Sequence, residues 1–161
     1  MELQHFYDLS QGYYKSDITK LEKELKTIKS LNVHALDLIP ALADVINLSL
    51  ADLNSIFGKE DTSRILVQNE ILKATLIGWK PGKTSSIHGH PKGGCVFKVL
   101  HGNLKEVRYN LEEETLSKSI ISKGGIGYID DSIGLHAVSN AFDVPAISLH
   151  IYAYNGRMLN S

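Results

Sequence analysis

Residues 85–102 read SSIHGHPKGGCVFKVLHG. A short β-type run ends at the turn Pro91-Lys92-Gly93-Gly94, and an apolar run resumes at Cys95. Side chains two apart on a strand point to one face, so His88 and His90 can reach a single point in space. Imidazole ligates Fe, Zn, Cu and Ni, which makes the pair a candidate for two ligands of a metal ion. A His-x-His pair also arises by chance on a solvent-facing strand. The chain's single cysteine, Cys95, follows His90 by five positions.

A third ligand must come from His5, His34, His101, His136 or His150. His5 and His34 lie in or near a helical region and are expected at the surface. His101 precedes the turn Gly102-Asn103 and is expected to be exposed. His136 opens a strand after DSIGL, at the edge of the β region, and is the best third ligand.

Outward from this stretch the periodicity differs between the two halves of the chain. In SDITKLEKELKTIKSL, residues Ile18, Leu21, Leu25 and Ile28 recur three to four apart after a cap at Ser16 or Asp17. HALDLIPALADVI predicts a second helix or a pair of turns, with Pro40 starting or breaking it. SLADLNSIFG begins at a capping Ser49 and stops at Gly58. From Arg64 the pattern becomes short strands: RILVQN, LKATLIGW, SSIHGH, CVFKVLHG, LKEVRYN, LSKSIIS, GIGYIDD, HAVSN and AISLHIYAY. Many short strands at regular spacing predict a sandwich or barrel. Trp79 and Tyr128 are expected to pack in it, and the tail NGRMLNS to be poorly ordered.

The 161 residues suit one domain with a real core: helices over 1–60 covering one side of a β-barrel over 61–155 that holds the metal site. With a formal net charge of −1, nothing points to nucleic acid or an anionic membrane as partner. One cysteine forms no internal disulfide, which fits a reducing compartment. Neither a signal peptide nor a membrane-spanning stretch is visible. A cytoplasmic monomer is the expectation.

The spacing G-x5-H-x-H-x4-C-x6-G, from Gly82 through His88, His90 and Cys95 to Gly102, resembles the first metal-binding motif of the cupin family. Cysteine stands where many cupins carry a glutamate ligand. His136 and Asn140 resemble the second motif, whose usual proline is replaced within YIDDSIGLH. That segment, SSIHGH with its later cysteine, GNLKE and PAISLHIY occur in order and resemble type I cysteine dioxygenases, from about Arg64 to Tyr152.

The resemblance implies a mostly β, jelly-roll-like cupin barrel with an N-terminal helical segment. It implies Fe(II) on His88, His90 and His136, and oxidation of L-cysteine by O2 to cysteine sulfinate. Three neutral ligands leave the 2+ charge uncompensated and favour a thiolate. Three further positions stay open on an octahedral ion, whereas a structural zinc site is closed by four protein ligands. Ser148, His150 and Tyr152 alternate along one strand, a pattern that fits a wet polar face equally well. In the family that face points inward, with Ser148 bonding His150 and His150 orienting the Tyr152 hydroxyl.

Cys95 reads alone as a buried core residue or, less readily, a metal ligand; the family implies a thioether link to Tyr152. Arg64, by itself a surface residue, would pair with the substrate carboxylate, where a branch acting on 3-mercaptopropionate commonly has glutamine. Two departures bear on substrate detail: Thr62 stands where tyrosine is frequent, and AYNG replaces a proline-containing turn. The alternatives are dioxygenation of 3-mercaptopropionate or another small thiol, and a metal-binding cupin that is not an oxygenase.

Overall fold

The computed structural model describes residues 17–57 and 63–156. The expectations for His5, Ser16, Gly58, Thr62 and the last five residues lie outside these. Helix α1, Asp17–Lys26, buries Ile18, Leu21 and Leu25 along one stripe. The Asp17 carboxylate accepts the N–H groups of Ile46 (2.9 Å) and Asn47 (2.7 Å). It therefore ties α1 to the segment that leads into the last helix.

His34, expected at the surface, is half-buried and starts a 3-10 turn, Ala35–Leu38. Its Nδ1 accepts the Leu36 N–H at 3.2 Å, and Asp37 accepts the His34 N–H at 3.1 Å. Such reciprocal bonds satisfy donors that a helix start leaves open. Pro40 then sits in the first turn of α2, Ile39–Ala43, where its missing N–H costs nothing. Ser49 and Asp52 form a second capping box that opens α3, Leu50–Phe57. Among the described residues no helix is long and apolar enough to cross a membrane.

Eight strands follow: β1 Ser63–Gln68, β2 Leu72–Trp79, β3 Cys95–His101, β4 Asn103–Tyr109, β5 Thr115–Ser122, β6 Ile126–Ile129, β7 Leu135–Ser139 and β8 Ala146–Ala153. All named pairings are antiparallel, in a five-stranded sheet β1-β2-β8-β3-β6 and a three-stranded sheet β5-β4-β7. Alternation gives the large sheet two unlike faces. Leu72, Ala74, Leu76, Val96, Leu149 and Ile151 join the helices in the main apolar core. Trp79, Val99 and Ala146 point the other way and meet Leu104 and Val138 of the small sheet. The helices thus cover one face, and the two sheets enclose the barrel interior, as expected of a cupin.

One predicted strand is absent. SSIHGH forms no ladder, only isolated bridges Thr84↔Ser139 and His88↔His136. The segment still runs beside β7, with Ser85 N–H donating to Val138 O (2.8 Å) and Asn140 N–H donating to Lys83 O (2.9 Å), but its pairing is interrupted between the two bridges. His101, expected to be exposed, is half-buried at the end of β3.

Candidate metal centre

A two-residue bridge brings the ends of the site together. His88 N–H donates to His136 O (3.0 Å), and His136 N–H donates back to His88 O (3.1 Å). His90, two residues on, is held by its own N–H donating to Asp131 Oδ1 at 2.8 Å. Gly89 allows this approach, because a Cβ there would lie 2.9 Å from the same oxygen. The same-face geometry expected of a strand is therefore produced by an irregular segment pinned at both histidines.

The three rings converge through Nε2. His136 Nε2 lies 3.1 Å from His88 Nε2 and 3.0 Å from His90 Nε2. Hydrogen bonding fixes two tautomers. His88 Nδ1 is 2.8 Å from the Ser86 carbonyl and must carry its proton. His136 Nδ1 is 2.8 Å from Glu106 Oε2 and must do the same. In the neutral rings both Nε2 atoms are then bare lone pairs facing each other at 3.1 Å. A hydrogen on His90 Nε2 can serve only the contact it makes itself. A cation between the rings removes the repulsion, so the donor set fits a metal ion.

Burial lowers the pKa of His88, and that of His90 to about 3, with neighbouring imidazoles adding to the effect. Neutral rings are the ligating form. Among the described residues these three are the candidate metal-holding group, with ligand atoms within 4.8 Å of one another.

Glu106 and Arg108 were not singled out from sequence. Glu106 is buried in the strand beside β7; its other oxygen accepts from Arg108 Nε at 3.0 Å. Arg108 also donates to the Tyr128 carbonyl at 2.6 Å. Burial works against the Glu106 charge, but the bonds from His136 and Arg108 outweigh it and hold the pKa low. A carboxylate thus faces the metal group through His136, and the arginine balances it. The available signal was the alternation in LKEVR, which puts Glu106 and Arg108 on one face.

Ser148, His150 and Tyr152 do point into the barrel. Trp79, expected only to pack, donates Nε1–H to Ser148 Oγ at 2.8 Å. Ser148 Oγ also shares a hydrogen bond with His150 Nε2 at 2.7 Å. The chain of bonds stops there. His150 and Tyr152 stack with ring centroids 6.3 Å apart, and among the described residues no hydrogen bond joins them. Tyr152 lies near-parallel to His90, also at 6.3 Å. Cys95 is fully buried directly across the ladder from Tyr152. Burial pushes the Cys95 thiol and the Tyr152 phenol up, so both stay protonated. Asn140, the last residue of the second motif, is buried and donates to the Trp79 and Val144 carbonyls, both at 2.9 Å.

Arg64 is not brought to this group. It lies opposite Leu76, whose side chain faces the helices. Its guanidinium pairs with Glu22 of α1 at 2.9 Å and with Asp52 of α3 at 3.4 Å. The register of β1 turns it to the helical side of the sheet.

The chain matches the family described as Cysteine dioxygenase type I over residues 16–155. It is 41% identical over 85 residues to Cysteine dioxygenase type 1 of Bos taurus, covering 48% of this chain and 42% of that protein. The Danio rerio protein of the same name is 36% identical over 86 residues, covering 48% and 43%. The chain spans less than half the length of these curated relatives. A solved structure from Bacillus halodurans superposes with a TM-score of 0.52 at 20% identity, covering 56% of this chain and 68% of that one. An uncharacterized conserved protein with a double-stranded β-helix domain from Klebsiella pneumoniae gives 0.50 at 17%, covering 58% and 76%. The last two likenesses concern the fold alone.

Proposed function

We propose that this chain, which belongs to the cysteine dioxygenase type I family, is an Fe(II)-dependent thiol dioxygenase that oxidises L-cysteine to cysteine sulfinate. The observation that carries the reading is the converging Nε2 set of His88, His90 and His136. His88, His90 and His136 would hold the ion as three neutral ligands and would leave it open to a substrate thiol. Bound Fe(II) would supply the redox chemistry and the attraction for the thiolate. The reaction joins both oxygen atoms of O2 to the substrate sulfur and balances with no further reductant.

The surrounding residues position and exclude. Phe97 stacks on His150 with centroids 5.1 Å apart and planes 11° apart, and it touches His136 edge-on. These rings keep bulk water from the inner side of the site. Trp79 holds Ser148, and Ser148 holds the His150 ring through Nε2. Tyr152, half-buried and protonated beside His90, would present a phenolic proton to a thiol held by the metal group.

Cys95 acts as a tether for that phenol. A thioether forms from Cys95 Sγ to a ring carbon of Tyr152, with the thiol and ring hydrogens lost to O2. Their direct cross-strand pairing supports it.

The test is anaerobic iron loading, then addition of L-cysteine and O2, with small-molecule product and intact protein both weighed. Cysteine sulfinate should form, and a fraction of the protein should become two hydrogens lighter. Stoichiometric zinc in protein from its own host with no sulfinate would refute the oxygenase. Turnover of 3-mercaptopropionate but not cysteine would move the substrate to that thiol. A mass shift that persists in Cys95→Ala would refute the tether.

A further inference from the structure

We infer that Tyr128 is a positioning residue for the metal centre: its hydroxyl sets His90 through the Asp130 turn and the Asp131 carboxylate. This rests on the metal centre of the dioxygenase reading. Tyr128 is expected from sequence only to pack, and its ring does so. It lies opposite Val96 in the ladder and packs against the helical core, on the face of the large sheet away from the barrel. The hydroxyl has a second task. It reaches past the end of β6 to the turn that follows.

Asp130 builds that turn. Its backbone carbonyl accepts the N–H groups of Ile133 (3.0 Å) and Gly134 (3.2 Å). Its Oδ1 accepts from the Ser132 N–H (2.8 Å), the Ile133 N–H (3.3 Å) and the Ser132 hydroxyl. Its Oδ2 accepts from the Tyr128 hydroxyl. The carboxylate is therefore fixed at both oxygens. Asp131 is the next residue on the same turn, and its Oδ1 accepts the His90 N–H at 2.8 Å. Two residues after Gly134 the chain reaches His136, so one turn serves two of the three candidate ligands.

The direction of the hydroxyl is set from the helical layer. His34 Nδ1 accepts the Leu36 N–H at 3.2 Å, so the ring proton is on Nε2. That N–H donates to the Tyr128 oxygen at 3.3 Å, which leaves the phenolic proton for Asp130. Burial and the bond to Asp130 push the Tyr128 phenol up, so it stays the donor. Gly94 lies on the other side of the hydroxyl. Its N–H closes a turn on the Pro91 carbonyl, directly after His90, and a Cβ there would lie 2.8 Å from the Tyr128 oxygen. The hydroxyl is thus wedged between the turn that follows His90 and the turn that precedes His136. The Tyr128 carbonyl accepts from Arg108, and a side-chain substitution leaves that bond in place.

The test uses the full chain and measures metal binding rather than turnover. Tyr128→Phe keeps the ring and removes the oxygen. Its Kd for Co(II), from competition with a chelator of known affinity, should rise about 10-fold, the low end for losing an outer partner of a ligand. Asp131→Ala should raise it at least as much. Adding Tyr128→Phe to Asp131→Ala should cost nothing further, because both act on one ligand by one route. The Co(II) d–d spectrum should change alike in the two single variants. Asp130→Asn keeps an oxygen toward the turn and puts an NH2 toward Tyr128, so it should match Tyr128→Phe and tests the same bond if that variant does not fold. An unchanged Kd, or losses that simply add in the double variant, would overturn the assignment. So would a lower urea midpoint with an unchanged spectrum, the result for a residue that only supports the fold. A wild-type chain that binds no Co(II) would instead overturn the metal-centre reading, and the role of Tyr128 with it.

Discussion

His136 shows how much chemistry one residue type can hide. Its spacing to Asn140 suggested a ligand, but spacing said nothing of what stands behind the ring. Glu106 at 2.8 Å from Nδ1 sets the tautomer that aims Nε2 at the metal position. Losing that partner should weaken metal binding without removing a ligand. Glu106→Ala is expected to lower metal affinity about 10- to 100-fold. Competition with a chelator of known affinity measures it, and unchanged affinity would show the bond to be incidental. Glu106→Gln should fall between, because one amide oxygen cannot accept from both His136 and Arg108. Arg64 makes the opposite point. Its residue type suits a carboxylate, and it does bind two, but both belong to the protein's own helices.

At the scale of elements, the helical layer and the barrel are joined by specific polar contacts as well as apolar packing. Lys98 is the clearest case. It sits on β3, turns toward the helices, and donates to Leu42 O (3.2 Å), Ala43 O (3.0 Å) and Val45 O (2.8 Å). These carbonyls lie at and beyond the end of α2, where helical partners run out; Leu42 O also accepts the Val45 N–H at 3.1 Å. Lys98→Met removes the donor and leaves buried acceptors, which costs about 1–3 kcal/mol. Urea unfolding should show that loss while metal affinity holds. A loss below a few tenths of a kcal/mol would mean that water replaces the ammonium. Lys98 is the one lysine within the otherwise apolar run CVFKVL. It is in fact 6% exposed, because both faces of the large sheet are covered. Helix starts were more legible, since Ser49-x-x-Asp52 and Pro40 act within one turn of chain.

For the whole molecule, the buried histidines make stability depend on pH with a definite sign. His150 is enclosed, and burial lowers its pKa from 6.5 to about 3, with His136 and His88 adding repulsion. The unfolded chain takes up the proton first, so stability is full above pH 6.5 and falls as pH drops toward 3. At pH 5 the loss from His150 alone is about 2 kcal/mol. Urea midpoints of metal-free protein at pH 7 and pH 5 should show it, and His150→Gln should remove that share. An identical pH slope in the variant would refute the assignment. The sequence by itself determined the helical and β halves, the boundaries of most strands and the pairing of His88 with His90. Those features follow from local periodicity, turn residues and short spacings, which act within a few positions along the chain. It also carried the family motifs. Only the tertiary structure decided that His88 and His90 sit on a bridged loop, that Glu106 stands behind His136, and that Arg64 faces the helices. The physical reason is register. A bulge between Ile65 and Val67 and the pairing of β2 with β8 choose which side of the sheet each residue occupies, and a shift of one position reverses every side chain.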